Sequence, residues 1–161
     1  MTSLVLAKET ESRLTIRKAQ DGDLEDVACL LTCLGYPLNP DELRSMYQTI
    51  LHDPQMNVLL ACLEHRAVGL ITLRVFPSLR LNGFEVTIEE LVVHPFCRGT
   101  GVGKTLLTRA VEYAKERGAV RLELHTSHKR ESFKRRFYEK NGFSPAQSTL
   151  YRMDFREESG S

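Results

Sequence analysis

The residues most able to do chemistry form one stretch, Arg98-Gly99-Thr100-Gly101-Val102-Gly103-Lys104-Thr105. Glycines at alternate positions let a backbone approach a ligand closely and take up positive φ. The stretch follows a strand-like run and opens a helical one. Unpaired amide N–H groups and the positive end of a helix dipole therefore meet there. Such a turn suits a phosphate or pyrophosphate, and Arg98 and Lys104 add positive charge at its edges. It is not a P-loop, because that motif requires a glycine where this chain has Arg98. No later strand ends in a plain metal-binding aspartate. His125 and His128 have the spacing of a metal pair but no further ligand set, so no metal is expected. Of the four cysteines, Cys29, Cys33, Cys62 and Cys97, three lie in apolar, regular segments and none forms a C-x-x-C pair. They read as reduced structural thiols.

The elements that must hold this turn alternate along the chain. A strand is expected at 14–17. Asp21-Gly22-Asp23 then caps a helix whose apolar face is Leu24, Val27, Ala28, Leu31 and Leu34, and Gly35-Tyr36-Pro37 stops it. Asn39-Pro40-Asp41-Glu42 starts a second helix with a cap, a proline at the first position and acids in the first turn. Strands follow at 58–63 and 68–76, joined by a short hairpin link, and a third lies at 84–93. Val102, Leu106, Leu107, Ala110, Val111 and Ala114 mark the helix behind the glycine turn, which Gly118 ends. A strand at 120–125, a helix at 131–140 and one or two strands within 143–155 complete the order. The expected fold is α/β: one mixed central sheet of six to seven strands with helices on both faces.

A chain of 161 residues fits one domain, expected over 1–161 with its core at 13–155 and a disordered tail at 156–161. Its 22 basic and 21 acidic residues leave a net charge of +1, which excludes a surface that is wholly a nucleic-acid or membrane magnet. The longest purely apolar run, 58–63, is six residues, far short of the roughly 20 a spanning helix needs. Leu4-Val5-Leu6-Ala7 is too short for a secretory core. A cytoplasmic protein without nucleic-acid or membrane partners is expected, with a homodimer left open.

The flanks of the glycine turn carry a resemblance. Glu89-Glu90-Leu91-Val92-Val93-His94-Pro95, then Arg98, Gly101 and Gly103, then Leu106-Leu107, resemble the Gcn5-related N-acetyltransferase family and its Gln/Arg-x-x-Gly-x-Gly/Ala signature. Phe137-Tyr138-Glu139-Lys140-Asn141-Gly142-Phe143 resembles that family's second block. The resemblance covers roughly residues 13–155 and looks like the small-molecule side of the family, near aminoalkylphosphonate and aminoglycoside-type acetyltransferases.

The resemblance implies acetyl-CoA as co-substrate and a primary amine of a small molecule as acceptor, attacked directly in a ternary complex. It assigns the CoA pyrophosphate to Arg98, Gly99, Gly101, Val102, Gly103, Lys104 and Thr105, and the pantetheine arm to the backbone of Leu91 and Val93. An alkyl amine is mostly protonated at neutral pH, so a base is needed. Glu89 and Glu90 are adjacent on the strand beside the acetyl site and face opposite sides unless a bulge intervenes. Both are kept, with Glu90 preferred. Tyr138 matches the family tyrosine that protonates the departing thiolate. Where the family often has Asn-x-x-Ala, this chain has Glu131 and Lys134. The run Lys129, Arg130, Lys134, Arg135, Arg136 is either a solvated face or the site for the adenosine phosphate. A protein or peptide acetyltransferase and a CoA-binding sensor without catalysis are the alternatives. A peptide groove would be walled by the loops at 36–40 and 77–83.

Overall fold

A computed structural model of the chain describes residues 13–156. The apolar stretch at 4–7 and most of the tail expected at 156–161 lie outside the described residues. Contacts divide the chain into two units, 1–125 and 126–161, and each is described by itself.

The first unit holds the sheet. Its elements are β1 (Leu14–Lys18), α1 (Leu24–Leu34), α2 (Pro40–His52), β2 (Met56–Leu63), β3 (Arg66–Ser78), β4 (Gly83–Val93), α3 (Val102–Glu116) and β5 (Ala119–Leu124). The strands run in the order β1-β2-β3-β4-β5. The first three pairs are antiparallel, and β4 and β5, joined through α3, are parallel. The local signals explain the helices. Gly35 closes α1 in the left-handed region, at φ 105°. Asn39 and Glu42 cap α2 reciprocally: Asn39 Oδ1 accepts from the Glu42 N–H at 2.9 Å, and Glu42 Oε2 accepts from the Asn39 N–H at 3.2 Å.

Helices cover both faces, which is why residues 57–62 of β2 and 69–73 of β3 are buried without alternation. On one face Val58, Leu60, Cys62, Leu70 and Val92 pack with Leu24, Val27, Leu30, Leu43 and Tyr47 of α1 and α2. On the other, α3 lays Val102 and Leu106 over Gly69 of β3. A Cβ built on Gly69 would stand 2.9 Å from Leu106 Cδ1 and 3.0 Å from Val102 Cγ1. The missing side chain lets the first turn of α3 settle onto the sheet. At the far end of the β3–β4 hairpin, Glu85 is 2% exposed and pairs with Arg80 at 3.2 Å, so its buried charge is answered. Of the loop expected at 77–83, Pro77, Ser78 and Gly83 belong to the strands, and residues 79–82 form the turn.

The second unit holds α4 (Glu131–Lys134) and α5 (Phe137–Lys140), where one helix over 131–140 is expected. Arg136 sits in the left-handed region at φ 55° and breaks it. Ion pairs lie on either side of the break: Lys134 with Glu131 at 3.2 Å and Arg136 with Glu139 at 3.8 Å. The three consecutive cations Lys134, Arg135 and Arg136 are left at the joint. Phe133 and Phe137 are four residues apart and would share one face of an unbroken helix, but the break separates them. Phe133 is exposed and stacks on His128 at 4.4 Å instead. The strands expected within 143–155 are absent among the described residues, so the sheet has five strands rather than six to seven. Tyr151, Met153 and Phe155 alternate with polar residues as a strand would, but residues 144–156 are exposed throughout. With no ladder and no burial, nothing offsets the entropy of ordering them as strands.

Gly69→Val should lower stability by about 1–3 kcal/mol, since overpacking forces either α3 or its side chains to move. Urea unfolding of the variant measures this. An unchanged midpoint would show that α3 does not rest on this position.

Candidate active site

Two departures from a regular sheet make the site. The first is a bulge. On β3, Thr72 pairs with Glu90 and Leu73 with Ile88, so Glu89 has no partner and β4 carries one extra residue. The second is a parting of strands. β5 follows β4 only from Phe84 to Ile88, and residues 89–93 have no partner on that side among the described residues. The His94 N–H donates to the Val68 carbonyl of β3 at 2.7 Å. N–H groups alternate between the two edges of an extended strand. Those of Leu91 and Val93 therefore point to the parted edge, where an extended ligand can take the place of a strand.

The adjacent glutamates are separated by the bulge. Glu89 is exposed and held at the surface: Arg74 Nε donates to its Oε1 at 3.1 Å, and the Thr87 hydroxyl donates to the same oxygen. Glu90 is half-buried and lies opposite the buried Thr72, on the face covered by α1 and α2. Burial pushes its carboxyl above the ordinary carboxylate value. The hydrogen bond from Thr72 works against that shift, and the negative charge of Glu89 adds to it.

The segment 94–101 leads from β4 into the turn. Pro95–Cys97 is a short 3-10 helix. Arg98 Nε donates back to the Val93 carbonyl at 3.2 Å, which fixes the start of the turn to the end of β4. Gly99 and Gly101 take φ values of 75° and 92°, where a side chain would be strained. Gly101 is the N-cap of α3, and no side chain caps the helix. The Gly101 carbonyl accepts from the Thr105 N–H at 3.0 Å and from the Thr105 hydroxyl at 2.9 Å. Thr105 thus braces the first turn from inside. The amides of Val102, Gly103 and Lys104 lie in the first turn, before any intrahelical acceptor. Arg98, Gly99, Gly101 and Lys104 are exposed, and the Val102 side chain anchors the turn in the core. A pyrophosphate fits this arrangement: outward N–H groups, a helix dipole, two cations and no first-turn acid.

The structure thus brings Glu90, Leu91, Val93 and residues 98–105 together within the first unit. Tyr138 belongs to the second. There its ring meets Phe137 edge-on at 5.2 Å and Phe143 at 6.2 Å. Burial raises its phenol above the ordinary value. The hydroxyls of Ser132 and Thr126 and the charge of Arg130 oppose the shift, Thr126 from outside hydrogen-bonding geometry. Thr72 and Gly69 escape sequence reasoning because their parts depend on the β3–β4 register and on how α3 packs. A cavity of about 430 Å³ lies elsewhere, between β1, β2 and the far half of α3, with Arg17, Lys18, Arg109 and Arg117 in its lining. Of these, Arg17 pairs with Asp23 at 2.7 Å and Arg109 with Glu116 at 3.0 Å. None of the expected site residues lines it.

The chain is similar to known proteins. The sequence model of the acetyltransferase (GNAT) family matches residues 24–143. An aminoalkylphosphonate N-acetyltransferase of Salmonella typhimurium is 30% identical over 144 residues, 87% of this chain and 93% of the relative. A glucosamine 6-phosphate N-acetyltransferase of Trypanosoma brucei brucei is 37% identical over 79 residues, 48% of this chain and 51% of the relative. A solved structure of a transcriptional regulator from Bacillus halodurans C-125 aligns at a TM-score of 0.78 with 34% identity, over 88% of this chain and 99% of that one.

The raised carboxyl of Glu90 has a consequence for stability. A carboxyl whose folded value exceeds its unfolded one stabilises the fold below the unfolded value and loses that contribution as pH rises through the folded value. Glu90→Gln removes the charge and keeps an oxygen for Thr72. It should therefore melt above wild type near pH 8 and lose that advantage as pH falls below about 3, well under the unfolded value of about 4.3, where the wild-type carboxyl is protonated in both states. Melting temperatures across this range check it. A variant less stable than wild type at pH 8 would contradict the burial of an ionised Glu90.

Proposed function

The chain belongs to the acetyltransferase (GNAT) family, and on that premise we propose that this N-acetyltransferase moves the acetyl group of acetyl-CoA to the primary amine of a small molecule bearing an anionic phospho group. The resemblance carried by the two motifs is borne out at the level of the family. The acceptor class, the mechanism and the roles below are our reading. The whole chain is taken as one catalytic domain.

The observation that carries the reading is the conjunction of the parted β4 edge with the glycine turn at the head of α3. Acetyl-CoA, when bound, supplies an acetyl carbonyl open to attack and a thiolate that can leave. The amides of Val102, Gly103 and Lys104, with Arg98 and Lys104, hold the pyrophosphate. The outward backbone groups of Leu91 and Val93 hold the extended arm, and an N–H beside the carbonyl oxygen stabilises the charge that develops there. Glu90, at the start of the parted segment, takes the proton from the amine directly or through water. Its raised carboxyl brings it closer to the working pH than an exposed glutamate. Glu89, tied to Arg74 and Thr87, keeps a structural place on the surface. Tyr138 keeps its proton because its phenol is raised, and donates it to the departing sulfur. The amine enters over the α1–α2 face, where Tyr36 of the connecting loop is 58% exposed. Two relatives named for an aminoalkylphosphonate and for glucosamine 6-phosphate support an acceptor with both an amine and an anionic phospho group.

The test is acetyl-CoA consumption against aminoalkylphosphonates, amino-sugar phosphates, polyamines, aminoglycosides and short peptides. The anionic amines should be turned over best. Preferred turnover of peptides would replace the acceptor class, and CoA binding without turnover of any amine would leave a sensor domain. With the best acceptor, Tyr138→Phe should lower kcat by about 10- to 10³-fold and leave CoA affinity within a few-fold, because the hydroxyl acts mainly in the transition state. Normal kcat would retire Tyr138 as the acid.

A further inference from the structure

Cys29 and Cys33 stand one turn apart on α1, so their side chains share a face. The fold carries His94, at the end of β4, to that face. The two sulfurs and a ring nitrogen of His94 all lie within 4.8 Å of one another. Nothing in the sequence brings these residues together, since His94 is 61 positions beyond Cys33, and the expectation of a metal-free protein rested on another pair, His125 and His128. We propose that Cys29, Cys33 and His94 form a binding site for a thiophilic d10 cation of the zinc class, with water as the fourth ligand.

The donor set favours this class. Two thiolates and an imidazole match zinc and select against hard cations such as magnesium and calcium. Zinc bonds of about 2.3 Å to sulfur put two tetrahedral sulfurs about 3.8 Å apart. The present donor spacing, no more than 4.8 Å for any pair, is close to that geometry. Two thiolates balance the charge of the cation, so the nearby Arg98 meets no net positive centre. Access is open, because Cys29 is exposed while Cys33 and His94 are half-buried. His94 is well anchored by its backbone bond to Val68 at 2.7 Å. A bound cation would tie α1 to the segment that enters the glycine turn.

The experiment is a Co²⁺ titration of the full chain, reduced and freed of metal by a chelator. One equivalent should bind, with the visible bands of a tetrahedral site and a near-ultraviolet thiolate-to-cobalt band, and Zn²⁺ should displace it. Cys29→Ser and Cys33→Ser should each weaken binding at least about tenfold and diminish the thiolate band. His94→Gln should weaken binding and keep that band. Cys29→Ser alters an exposed position, so an unchanged metal-free melting temperature separates loss of a ligand from loss of fold. Absence of a thiolate band in wild type, or full binding by the Cys29→Ser/Cys33→Ser double variant, would overturn the proposal. Loss of the band in Cys97→Ala with retention in Cys29→Ser would do so too.

Discussion

β4 is asked to serve two neighbours that it cannot follow equally far. It keeps a long antiparallel ladder with β3 as far as Val93, while its parallel pairing with β5 stops at Ile88. The five residues beyond, 89–93, hold backbone groups whose second edge is open. A sheet interior does not leave such groups idle without a partner of another kind. The bulge at Glu89 lies at the point of parting, and bulges bend a strand and raise its twist. Everything proposed for the site follows from this mismatch in length. The open edge meets an extended ligand, the bulge sends the two glutamates into different surroundings, and the chain leaves β4 close to where α3 begins.

The same arrangement sets an energetic tension. Glu90 faces the covered side of the sheet, and only Thr72 offsets the burial of its charge among the causes that shift it. A fold selected for stability alone has no use for a half-buried carboxyl beside a gap in its sheet. A base that must be ionised and close to the working pH does. Glu85 shows the contrast within the same strand: more deeply buried, it is paired with Arg80. One strand thus carries a structural glutamate with its counter-ion, a surface glutamate tied to Arg74, and one with no paired cation among the described residues.

Much of this is legible in the sequence because local rules dominate where signals are short-range. The cap Asn39-Pro40-Asp41-Glu42, the stop at Gly35 and the glycines at 99 and 101 act through their own backbone, and the structure follows them. The second unit is where local reading fails. Phe133 and Phe137 are spaced for one helix face, yet Arg136 turns left-handed between them. Tyr151, Met153 and Phe155 have strand periodicity but remain exposed. Periodicity says which residues would share a face, and only a partner surface makes that face worth forming. Gly69, Thr72 and the Cys29–Cys33–His94 cluster depend on register and packing between elements distant in sequence, which leave no local trace.

The central claim is that the parted edge of β4 and the first turn of α3 together receive CoA. Residue-resolved amide hydrogen exchange, with and without free CoA, tests it most directly. The account predicts that the amides of Leu91, Val93, Val102, Gly103 and Lys104 exchange readily alone and become protected together on binding. Protection confined to the basic cavity around Arg17, Lys18 and Arg117, with these five amides unchanged, would contradict it.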